Sequence, residues 1–113
     1  MKLTTDNHGA VTLVAVDGDV DLASSGDLEA ALEAAESDVV LDLRRVGFMD
    51  SSGLNSLLTA SRKLDERSRR LALVIEPAGT VGRLLDITQL GDVFSWFEDV
   101  DAAAASLDAG EGS

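Results

Sequence analysis

Cysteine is absent from the 113 residues, which excludes disulfides, thiolate metal sites and cysteine nucleophiles together. A reducing compartment is the matching expectation. Histidine occurs once, as His8 in the turn signal Asn7-His8-Gly9, so a serine nucleophile would have one imidazole available in the whole chain. Bases are scarce. Nine Lys and Arg face 21 Asp and Glu, a formal net charge of −12. That balance argues against nucleic acid as a partner, because a phosphate backbone is held by basic side chains. No apolar run approaches the ~20 residues that span a bilayer. Residues 1–10 are polar with one base, Lys2, unlike a signal peptide. The expectation is a soluble cytoplasmic protein with no membrane contact.

What is present describes one small globular domain. Apolar residues make up 45%, enough for a single core at this length. Residues 2–6 read as an edge strand and residues 11–16, rich in valine, as its antiparallel partner. Asp17-Gly18-Asp19 reads as the break after that strand. Ser24 or Ser25 suits the cap of a helix to about Glu36, with Leu28, Ala31, Leu32 and Ala35 on its apolar stripe. Residues 39–43 form the next strand and residues 44–49 a connection. A second helix starts near Asp50 to Ser52, with Leu54, Leu57, Leu58, Ser61 and Leu64 inward. Residues 71–75 are a continuous apolar run, the pattern of a strand buried on both faces of a parallel sheet. Pro77 stops it. A third helix over residues 80–88, a strand over 93–97 and an alanine-rich helix over 99–107 complete the chain. The fold class is α/β: a mixed, mainly parallel sheet of four to five strands, with an N-terminal hairpin and about four helices. The domain is expected over residues 1–108, with a flexible tail over 109–113.

Charge is unevenly spread. Acids dominate as far as Asp42 and bases cluster over residues 62–70; both blocks read first as solvated faces, with a basic protein partner as the alternative for the acidic half.

The chemistry converges on Phe48-Met49-Asp50-Ser51-Ser52-Gly53-Leu54, where a helix begins. The first turn of a helix leaves four backbone N–H groups without intrahelical partners. Asp50 or Ser51 can cap them. Gly53 lets another molecule approach the backbone, although glycine in a helix costs about 1 kcal/mol relative to alanine. Two hydroxyls therefore stand at the positive end of a helix, at the carboxyl edge of the sheet, where open α/β folds build sites. Enzyme chemistry is not expected: there is no Gly-x-Ser-x-Gly elbow and no P-loop. Asp19 and Asp21 suggest the acidic pocket of a phospho-accepting receiver, but no lysine follows Lys63. Asp17, Asp19 and Asp21 are spaced like the start of a calcium loop, but Leu28 stands where a bidentate Glu is needed.

With these residues in view, the sequence resembles the STAS domain family and, within it, the bacterial anti-sigma factor antagonists. The resemblance is strongest over residues 48–54. It includes Gly18-Asp19-Val20-Asp21-Leu22, Val39-Leu41-Asp42-Leu43, Pro77-Ala78 and residues 84–90, and covers about residues 3–107. It implies a partner switch. The unphosphorylated protein binds an anti-sigma factor that is also a serine kinase, and a sigma factor is freed indirectly. Phosphorylation of the serine before the glycine, Ser52 here, abolishes binding, and a serine phosphatase restores it. ATP and Mg²⁺ belong to the kinase, so no cofactor is expected in this chain. Asp50, Ser51 and Gly53 support the phosphosite. Asp19, Asp21, Asn55, Ser56 and Thr59 are the expected partner-binding residues. Asn55 and Gln89 depart from the usual family pattern. Two rival readings stand beside this one: a STAS scaffold or accessory subunit in a stress-signalling or lipid-transport complex, and a small-ligand or nucleotide-binding module.

Overall fold

The computed structural model describes residues 1–111. The first strand, β1 (Lys2–His8), pairs antiparallel with β2 (Val11–Val20). Every later pairing is parallel: β2 with β3 (Val39–Met49), β3 with β4 (Leu71–Val74), and β4 with β5 (Ser95–Phe97). The strands lie in sequence order across one five-stranded sheet. Helices α1 (Leu22–Glu33), α2 (Ser51–Glu66), α3 (Thr80–Ile87) and α4 (Val100–Glu111) complete the fold. The mainly parallel sheet, the hairpin and four helices are the architecture expected from the sequence.

Strand order explains where the core sits. When right-handed crossovers all step the same way across a sheet, their helices fall on one face. Accordingly Leu28 and Leu32 of α1, Leu57 and Leu64 of α2, and Val81 and Leu85 of α3 share one cluster with Val39, Leu41 and Leu73. The opposite face carries α4, whose Ala103, Ala104 and Leu107 pack on Val40, Ala72 and Val74. Strand residues alternate between the two clusters, so residues 39–41 and 72–74 are buried on both sides. That is why they read as continuous apolar runs. Each large side chain so buried contributes roughly 1.5–3 kcal/mol.

Several boundaries differ from the sequence reading. The hairpin turns at Gly9-Ala10, and β1 keeps His8 in register with Val11. Asp17-Gly18-Asp19 is a bulge inside β2, not its end. Gly18 adopts φ +109, and the ladder to β3 shifts register there and resumes. The expected connection at residues 44–49 is the second half of β3. It pairs with residues 17–20 of β2 and buries Val46 and Met49. Helix α1 starts at Leu22 behind an Asp21 cap and ends at Glu33, earlier at both ends than predicted. Helix α4 runs through residues 109–111 of the expected tail, and residues 112–113 lie outside the described residues.

Candidate functional site at the N-terminus of α2

Parallel strands deliver the N-termini of the following helices to one rim of the sheet. At that rim β2 and β3 run past β4, whose last register pair is Asp42 with Val74. They end side by side with Val20 opposite Met49. The next residue after β3, Asp50, donates its N–H to the Val20 carbonyl at 3.2 Å, which ties the two loops together.

Asp50 is the cap of α2. Its backbone is extended, at φ −96 and ψ −174, and its Oδ1 accepts the Gly53 N–H at 3.1 Å. The Asp50 carbonyl accepts the Leu54 N–H at 3.1 Å. This settles the cap in favour of Asp50 over Ser51. Among the described residues the Ser51 and Ser52 side chains make no hydrogen bond, so both hydroxyls are free. Ser51 is exposed and Ser52 half-buried. The helix dipole and the unpaired amides of the first turn favour an anion at this point.

Gly53 has a different reason from the one the sequence suggested. It is buried. A Cβ there would lie 2.7 Å from Met49 Cγ, 2.8 Å from Val20 Cγ1 and 3.0 Å from the Val20 carbonyl oxygen. Glycine is required by the close approach of α2 to the ends of β2 and β3, not by a visiting molecule.

The other expected site residues divide. Asp19 is exposed at the same rim, in register with Phe48. Asp21 is half-buried and occupied as the α1 cap. Its Oδ1 accepts the Ser24 N–H at 3.2 Å, and its own N–H is donated to Ser24 Oγ at 3.0 Å. Asn55 is exposed and Thr59 half-buried on α2. Ser56 is 4% exposed and lies on the packed side of α2 with Gly53, Leu57 and Ala60, so the structure removes it from the expected surface. The sequence took the water-facing side of α2 as one strip, whereas α1 packs along this helix and narrows it.

Two apolar residues of the quoted motifs, given no role by the sequence reading, are exposed at this rim: Leu22, 78% exposed as the first residue of α1, and Phe48, 49% exposed before Met49. The available signal was a leucine directly behind a capping Asp. The lone histidine, His8, lies at the opposite end of β2 from Val20, with Nε2 at 3.4 Å from Asp101 Oδ1.

The sequence profile of the STAS domain matches residues 2–103. The chain belongs to the STAS domain family. BtrV of Bordetella bronchiseptica, provisionally named an anti-sigma factor antagonist, is 32% identical to this STAS chain over 111 residues, covering 95% of each chain. The anti-sigma-B factor antagonist of Staphylococcus epidermidis is 29% identical, over 82% of this chain and 89% of its own. The crystal structure of an anti-sigma factor antagonist from Mycobacterium paratuberculosis superposes with a TM-score of 0.80. It is 26% identical, covering 95% of this chain and 93% of that one.

Proposed function

We propose that this STAS domain is an anti-sigma factor antagonist switched by phosphorylation of Ser52. Its unmodified form binds an anti-sigma factor that is also a serine kinase, which frees a sigma factor without touching it. The kinase transfers phosphate to Ser52, and a serine phosphatase removes it. The chain itself performs no catalysis and supplies only the acceptor hydroxyl. The observation that carries this reading is the free Ser52 hydroxyl, half-buried at the capped N-terminus of α2 beside the Asp50 carboxylate.

The physics of the switch is local. A phosphate brings about −1.5 to −2 charges and three strong acceptor oxygens. The first turn of α2 can accept it, because the amides and dipole there favour an anion, so the domain stays folded. The added charge nevertheless falls beside Asp50 and on the rim that carries Asp19. A partner surface fitted to a neutral hydroxyl meets bulk and repulsion, and release follows without rearrangement of the sheet.

The test is incubation with the cognate kinase and ATP, then mass spectrometry of the peptide spanning residues 46–62. Phosphate on Ser52 is expected, with Ser52→Ala unlabelled and constitutively bound and Ser52→Asp bound more weakly. Phosphate on the more exposed Ser51 would move the switch by one residue. A Ser52 phosphoprotein that kept its partner at unchanged affinity would leave the scaffold reading.

A further inference from the structure

Two large apolar side chains face water at the serine rim, and the fold gives neither a reason to be there. Leu22 occupies the first position of α1, where unpaired amides and the helix dipole favour polar or acidic residues. It is 78% exposed. Phe48 precedes Met49 in β3. Met49 is buried, whereas Phe48 beside it stays 49% exposed. The two are held close to the serines by backbone. Phe48 is in register with Asp19 and Met49 with Val20. The Asp50 N–H bonds to the Val20 carbonyl, and Asp21 and Leu22 follow directly. Leu22 and Phe48 therefore belong to the two loops that are tied together at the turn carrying Ser51 and Ser52.

We propose that Leu22 and Phe48 form an apolar clamp that seats the anti-sigma factor over Ser52. The clamp rests on the function proposed above and supplies its specificity-determining contacts. Exposed aromatic and aliphatic side chains grouped at one place are the usual anchors of a protein interface. The occupant follows from charge. Asp19 stands opposite Phe48, exposed and in no ion pair among the described residues, and Asp50 lies at the serine turn. The surface that fits presents apolar side chains flanked by Arg or Lys. A second copy of this chain, with net charge −12, would bring like charge to the same contact. The clamp also gives the phosphate its leverage. A dianion at Ser52 would have to be stripped of water between two apolar contacts, which adds to its repulsion from Asp50.

The experiment uses the full chain and the purified anti-sigma factor, first identified by its binding to the unmodified parent. Affinity is measured by titration calorimetry for Leu22→Ser, Phe48→Ser and a control, Ile87→Ser. Ile87 is 79% exposed but ends α3, away from the helix N-termini that form the rim. Each clamp variant is expected to melt like the parent and to bind about tenfold or more weakly. The control should bind within roughly twofold of the parent. Clamp variants that bind like the parent, while Ser52→Asp still binds weakly, overturn the clamp and leave the switch standing. An equal loss in Ile87→Ser overturns it too, since general surface hydrophobicity would then suffice. Dimerisation of the parent by sedimentation, abolished in Leu22→Ser and Phe48→Ser, would assign the surface to self-association instead. Absence of any anti-sigma factor bound by either the parent or Ser52→Ala removes the switch and the clamp together.

Discussion

At the scale of the residue, the serine turn combines a side chain that is free with neighbours that are fully committed. Among the described residues the Ser52 side chain makes no hydrogen bond, while Asp50 holds the cap and Gly53 the packing. The consequences of substitution therefore separate. Asp50→Ala removes the acceptor of the Gly53 N–H and should lower stability by about 1 kcal/mol, whereas Asp50→Asn keeps a capping oxygen and should cost a few tenths. Urea titration of the two variants distinguishes them. Gly53→Ala must force Cβ against Met49, Val20 and the Val20 carbonyl, an overpacking that costs about 1–3 kcal/mol. Gly82→Ala should cost more. Its Cβ would sit 2.3 Å from the Glu76 carbonyl oxygen and 2.5 Å from that of Pro77. Both are backbone atoms, which yield less easily than side chains. If Gly53→Ala melts at the parent temperature, the close approach of α2 to Val20 is not the reason for glycine there.

At the scale of the element, caps and clasps decide where helices begin and how loops are held. Asp21 and Ser24 satisfy each other reciprocally at the start of α1. Asp21→Lys removes the cap and places a cation at the positive end of the dipole, so it should destabilise the domain by at least ~1 kcal/mol. Any loss of partner binding in that variant has to be read against its melting curve. Asp19→Lys is the cleaner probe of rim charge, because the Asp19 side chain holds no cap. The basic stretch after α2 is likewise structural. Arg67 donates to the Glu33 carbonyl at 2.6 Å and Arg69 to that of Ala35 at 3.4 Å. The Arg70 N–H and guanidinium bond to Asp38 at 2.8 and 2.9 Å, and its guanidinium also bonds to the Leu107 carbonyl. These arginines clasp the end of α1 and the loop before β3, where the sequence reading saw a solvated face. Asp38→Ala should cost about 1.5–3 kcal/mol, since it removes the charged acceptor of the Arg70 N–H and of one guanidinium bond. Loss of less than half a kcal/mol would show the clasp to be ornamental.

At the scale of the whole molecule, charge sets the response to solution conditions. With 21 acids against nine bases, self-repulsion opposes the compact state. Added salt at constant pH should raise the melting temperature by screening it. Acid acts through Asp42. Burial works to raise its pKa, but hydrogen bonds from the Arg44 guanidinium and amide, with the charges of Arg44 and Arg45, outweigh burial and hold it below the ordinary value. A carboxyl depressed on folding adds stability above its unfolded pKa and loses it as pH falls through the folded value. Stability should therefore decline below about pH 4, and Asp42→Asn should show a shallower acid limb in melting temperature against pH.

How much of this the chain announces differs from segment to segment. The sequence alone determined the order of elements, the parallel sheet and the serine turn. Residues 39–41 and 72–74 are apolar without interruption because both faces of their strands are covered, and such a run is legible locally. The α2 stripe is legible because its spacing repeats within one helix, whereas the sequence offered Asp50 and Ser51 equally as the cap and the structure chose Asp50. Other features depend on residues distant in the chain. Residues 44–49 look like a charged loop until β2 supplies the ladder that makes them strand. Gly18 looks like a break until the parallel partner turns it into a bulge. Ser56 looks wet because it is polar, yet it lies on the packed side of a helix against which α1 is laid. Leu22 and Phe48 look like ordinary core residues, and only the assembled rim leaves them facing water. The tertiary structure decided these cases because burial and strand pairing are properties of pairs of segments, and no single segment carries its partner.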